Sequence, residues 1–178
     1  MIKQKEVYSL DDDNSFRYRK FPSDTSVTIS LIRQTLGEII KRDFVNCVIS
    51  DEEYKYKTGV FKSETVPCIV LSHAEKPKDY KKFVIFIRPE GTYLVAENVW
   101  YGESKLDKLT EKIDKSEAKI HRAANNPNLS TEGFVTSLGR MAANKSRNKK
   151  ADQLVEVEYR YYSEIVNAVD SMYSSFEG

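Results

Sequence analysis

One stretch constrains the fold more than any other: Lys81 to Trp100, KKFVIFIRPEGTYLVAENVW. Phe83 to Ile87 is an unbroken run of β-branched and aromatic residues, which reads as a strand. Side chains along a strand alternate between faces, so Phe83, Ile85 and Ile87 share one face and Val84 and Phe86 the other. A strand that is apolar on both faces is covered on both, and is therefore central. Arg88-Pro89-Glu90-Gly91 predicts the turn, with Pro fixing φ and Gly free to take positive φ. Thr92 to Ala96 then returns as the second strand of a hairpin.

The flanking segments read as partners and covers for this strand. Phe16 to Phe21 alternates apolar and basic residues ahead of Pro22, the pattern of an edge strand. Ser23-Asp24-Thr25-Ser26 offers helix N-caps, and Val27, Leu31, Ile32, Leu36, Ile39 and Ile40 recur at helical spacing, which predicts a helix over 26–42. Phe44 to Ile49, Glu53 to Lys62 and Cys68 to Leu71 read as three more strands. Their short links favour an antiparallel meander. After Gly102 the period lengthens. Leu106, Ile113 and Ile120 stand seven apart, with Leu109, Ser116 and Ala123 as a second seam position, predicting a helix over 103–124. Asn125 to Asn128 ends it, and Ser130 or Thr131 can cap the next helix. Residues 131–175 hold no Pro and read as one bent helix or two. The expected fold is α+β: an N-terminal helix and an antiparallel β-meander of about four to six strands over 1–102, then two or three C-terminal helices over 103–178, packed on the sheet as one domain.

At 178 residues the chain can bury a core without staples. No apolar run approaches the ~20 residues needed to span a bilayer, and MIKQKEVYSLDDD lacks the apolar core of a secretory signal. Cys47 and Cys68 do not make a disulfide framework. These features lead us to expect a cytoplasmic protein without membrane association. Lysine outnumbers arginine 19 to 9, the bias of AT-rich coding sequences in low-GC bacteria and their phages.

Sites of hydrolytic or metal chemistry need clustered His, Cys, Asp or Glu. Only His73 and His121 occur, each alone locally, and no zinc, P-loop, nucleophile-elbow or dinucleotide motif is present. Cys68 and His73, five apart, would face opposite ways in one strand, which argues against a nucleophilic pair. Glu53-Tyr54-Lys55 after Asp51 matches the acid pattern of metal-dependent nucleases, but two residues are too few to place Asp51 on a separate strand. Glu97 sits among apolar residues and reads as the end of the buried part of its strand. No catalytic residue, metal site or cofactor is assigned.

The net charge of +1 gives no global attraction to nucleic acid, but the charge is segregated. Arg140, Lys145, Arg147, Lys149 and Lys150 fall within eleven residues without an acid. Asp152, Glu156, Glu158, Glu164, Asp170 and Glu177 come next in the chain against Arg160 alone. The five cations form a candidate nucleic-acid contact through counterion release at phosphates, though no aromatic lies among them for base stacking. Tyr159, Tyr161, Tyr162 and Tyr173 extend round the last helix and form a candidate partner surface, because tyrosine couples a large apolar body to a polar tip. The leading expectation is a non-enzymatic interaction protein acting through its helical C-terminal part, with a protein partner or a second copy of itself. A nucleic-acid-associated accessory protein is the alternative, and an enzyme whose site is dispersed in sequence the third.

Overall fold

The computed structural model describes residues 1–3, 7–9, 18–57, 62–124 and 131–177. The protein is α+β, with a mixed sheet and three helices. The strands are β1 (Ile2–Lys3), β2 (Val7–Ser9), β3 (Tyr18–Pro22), β4 (Cys47–Lys57), β5 (Ser63–His73), β6 (Lys82–Glu90) and β7 (Tyr93–Tyr101). The helices are α1 (Ile29–Arg42), α2 (Lys105–Ala124) and α3 (Thr131–Ser174). The chain divides into two compact units: residues 1–102 with 161–178, and residues 103–160.

In the first unit β4 to β7 form an antiparallel meander in sequence order. β1 adds to β4 in parallel, while β2 and β3 add to different stretches of β7. The helix expected at the N-terminus is thus preceded by strands. The sheet is six positions wide, so its outer strands would lie about 24 Å apart if it were flat. Yet β1 and β2, at opposite edges, are joined through only residues 4–6, and four Cα steps reach at most about 15 Å. The sheet is therefore rolled. Its inner face buries Ile2, Tyr54, Cys68, Val70, Val84 and Phe86, with Tyr54 stacked on Phe86 at 4.1 Å. Its outer face carries Ile69, Leu71, Phe83 and Ile85, covered by α1 and by residues 161–173 of α3. The run Phe83–Phe86 is buried on both faces, as its composition demands.

Three expectations are corrected. The first helix is capped by Thr28, whose side chain accepts from the Leu31 N–H at 3.2 Å; residues 23–25 form a turn ahead of it. The two strands expected over 44–62 are one, β4, which runs straight through Asp51-Glu52-Glu53, with Asp51 and Glu52 reaching out to charge partners. Asp51 meets Arg33 at 2.9 Å, and Glu52 meets the N-terminal ammonium at 2.9 Å. The turn after β6 is Gly91-Thr92, not Arg88 to Gly91; Gly91 alone of the two has positive φ, the pattern of a II′ hairpin. Pro89 stays in the strand because β5 pairs with β6 only as far as Phe86, leaving no ladder for the missing N–H to break on that side. Of the two alternatives open for residues 131–175, the structure has one helix, Thr131–Ser174. The Ser130 cap and the edge residues 16–17 lie outside the described residues.

In the second unit, α2 opens with a reciprocal cap. The Ser104 N–H donates to Asp107 Oδ2 at 2.8 Å and the Asp107 N–H to Ser104 Oγ at 3.1 Å. The next free amide, Leu106 N–H, donates to the buried Glu158 carboxylate on α3 at 3.1 Å. At the other end Ile120 and His121 line a cleft with Met141 and Asn144. These contacts set α2 and α3 side by side and antiparallel.

Candidate functional site

The residues with chemical potential in the first unit are held in neutral, committed states. Cys47 and His73 are cross-strand neighbours, a pairing far apart in sequence. Burial pushes the Cys47 thiol up to about 12, with Glu164 adding to the effect, so no thiolate forms near neutrality. Burial, with a smaller contribution from Lys76, lowers the His73 pKa against the nearby acids. Its Nδ1 accepts from the Glu75 N–H at 3.3 Å and the Lys76 N–H at 3.2 Å, which leaves the proton on Nε2. The imidazole stacks on Tyr80 at 4.4 Å and touches Tyr161 at 4.9 Å. A protonated thiol beside an imidazole whose lone pair is already engaged is not a nucleophile–base pair. Cys68 lies on the opposite face, in the inner core, with its thiol also raised to about 12 by burial.

Glu97 does not end the buried part of β7, since Asn98 and Val99 beyond it are fully buried. It faces into the roll and pairs with Arg88 at 3.2 Å, while Arg88 also meets Glu90 at 2.8 Å. Asp51, Glu53 and Lys55 share one face of β4, all exposed, and among the described residues no three His, Cys, Asp or Glu side chains gather at metal-binding distances. Among these residues no helix is long and apolar enough to cross a membrane.

The four candidate tyrosines do not form one surface. Tyr173 is fully buried, and its hydroxyl donates to Asn98 Oδ1 at 2.8 Å. Tyr161 is buried against His73 and Tyr80. Tyr162 is half-buried; its hydroxyl accepts from the Lys81 N–H at 2.9 Å, and its ring lies 4.6 Å from Trp100. These three anchor residues 161–173 to the sheet. Tyr159 alone is exposed, at 74 %. Sequence periodicity does not separate them: Tyr161, Tyr162 and Tyr173 belong to the first unit and Tyr159 to the second.

The unit of residues 103–160 has an unusual interior. Of its described apolar side chains only Ile113 is fully buried, whereas the polar Ser104, Ser116, Asn144 and Glu158 are. The stripe Arg140, Asn144, Arg147, Ala151, Leu154 and Glu158 alternates spacings of four and three and is buried or half-buried. Arg147 is held there by donating to Asn144 Oδ1 at 3.2 Å. One position further on, Met141, Lys145, Asn148, Asp152, Val155 and Tyr159 repeat the same spacing, and all are exposed. Of the five candidate cations, Lys145, Lys149 and Lys150 are exposed while Arg140 and Arg147 are half-buried. The cleft at the far end, about 480 Å³, is bordered by Ile120, His121, Met141, Asn144 and Lys145. Asn144 Nδ2 has no hydrogen-bond partner there among the described residues. Compared with protein-family models, curated proteins and solved structures, the chain matches none.

Proposed function

We propose that this is a non-enzymatic interaction protein whose helical unit, residues 103–160, is the docking arm. The observation that carries the reading is an inverted pattern of burial among the described residues of that unit. Met141, Val155, Val157 and Tyr159 are 40–74 % exposed along α3 while four polar side chains are buried. Two helices alone rarely bury enough apolar surface to offset the entropy of ordering them. An arm built this way gains its missing apolar contacts from a partner. Tyrosine, methionine and valine on an exposed helix face suit a protein surface.

The second reading, nucleic-acid association, draws on the exposed Lys145, Lys149 and Lys150. Against it, Asp152 and Glu156 are exposed within two turns on the same helix and offset the basic charge locally. A photo-reactive benzophenone side chain placed at position 155 or 159 of the intact chain, and irradiated in cells, separates the readings. Adducts with protein support the docking arm. Adducts with nucleic acid alone, or none where a control at exposed Val48 gives the usual background, overturn it.

A further inference from the structure

Resting on that reading, we infer that the arm's partner is a second copy of this chain, bound through antiparallel α3 helices related by a two-fold axis near residue 150. The exposed stripe is symmetric about that point. Reversed upon itself, Met141 meets Tyr159, Lys145 meets Val155 and Asn148 meets Asp152, each pair occurring twice, as an isologous interface requires. The charge is self-complementary in the same register. The basic run 140–150 of one copy lies along the acidic run 152–164 of the other, bringing Lys145 near Glu156 and Lys149 near Asp152. Parallel pairing would instead set the exposed Lys145, Lys149 and Lys150 of one copy against the same three of the other, so charge selects the antiparallel orientation.

Shape agrees with charge. Tyr159, the most exposed apolar side chain among the arm's described residues, arrives beside Met141 of the second copy, where the cleft of about 480 Å³ opens between Ile120, His121 and Asn144. A tyrosine ring fits that space, with its hydroxyl directed toward the polar groups of the cleft. Tyr159 is then the anchor of each half of the interface, with the central polar pairs fixing register.

The test is sedimentation equilibrium of the intact chain and two charge-reversal variants, all at exposed positions. One variant carries Lys145→Glu and Lys149→Glu, the other Asp152→Lys and Glu156→Lys. The wild type is expected to form dimers, and each variant alone to dimerise at least about tenfold more weakly, since four exposed pairs turn repulsive. An equimolar mixture of the two variants should recover a heterodimer. A wild type that stays monomeric, or dimers indifferent to either reversal, overturns the inference. Monomers that still give protein adducts at position 155 would overturn self-association while leaving the docking arm standing.

Discussion

Tyr173 and Tyr159 lie on the same helix, yet the structure gives them opposite roles, and substitution separates the two. Tyr173 is fully buried, and its hydroxyl donates to the equally buried Asn98 at 2.8 Å. Removing the hydroxyl in Tyr173→Phe deletes that bond and withdraws a donor from a buried amide oxygen, a loss of about 1–3 kcal/mol. For a chain of this size each kcal/mol moves the midpoint by about 2–4 °C, so Tyr173→Phe should lower Tm by several degrees. Removing the ring in Tyr173→Ala also opens a cavity and should cost about 3–5 kcal/mol. Tyr159→Ser should change stability by no more than about 0.5 kcal/mol, because its ring is already in water, but should weaken association. Thermal unfolding monitored by circular dichroism, with sedimentation at a temperature well below the midpoints, reads both effects. A Tyr173→Phe variant of unchanged Tm but impaired association would refute the assignment of Tyr173 to the core.

Local geometry and burial give two further outcomes. Phe44 ends α1 in the left-handed region, φ 54°, with the Val45 N–H donating to the Ile40 carbonyl at 3.1 Å, a place usually held by glycine. Since the ring is 92 % exposed, Phe44→Gly should stabilise by about 0.5–1 kcal/mol and Phe44→Ala should not, as urea midpoints will report. The second outcome is a pH profile with two flanks. Cys47, Cys68 and Tyr54 are raised to about 12 by burial, so their neutral forms stabilise the fold below the ordinary thiol and phenol values. That stability drains as pH climbs from about 9 toward 12, at up to about 1.4 kcal/mol per unit per group. His73 is lowered, so its contribution is present above about 6.5 and is lost as pH falls through the folded value. Urea midpoints that stay flat from neutrality to pH 11 would contradict the burial of these groups.

The parts of the fold legible in the sequence are those set by short-range pattern. Phe83 to Phe86 declared a two-faced strand, and Leu106, Ile113 and Ile120 declared α2, because burial on one or two faces leaves a local period. Distant partners decided the places where local pattern failed. Asp51 and Glu52 looked like a break, but Arg33 and the N-terminus supply their charge partners, so β4 continues. Pro89 looked like a turn residue, yet it stays in the strand because β5 stops pairing before it. The rolling of the sheet depends on Ile2–Lys3 and Val7–Ser9, too short to show any periodicity. The cross-strand neighbours Cys47 and His73 are likewise invisible without the β4–β5 register. On the helical unit, the segregated charge is readable in the sequence. Its use is not, because the exposed stripe is recognisable only once Arg140, Asn144 and Arg147 are seen to be buried or half-buried.

The measurement closest to the central claim is amide hydrogen exchange on the intact chain across a range of protein concentration. A docking arm in which Ile113 alone of the described apolar side chains is buried opens easily when alone, whereas the sheet opens only with the whole first unit. The account predicts that, in dilute solution, amides of residues 140–160 exchange orders of magnitude faster than those of 68–71 and 83–86. It also predicts that arm protection rises with concentration, or with added partner, while sheet protection does not. Arm amides as slow as those of the sheet in a solution of monomers would mean that the helical unit is complete by itself, and the reading of it as a docking arm would be wrong.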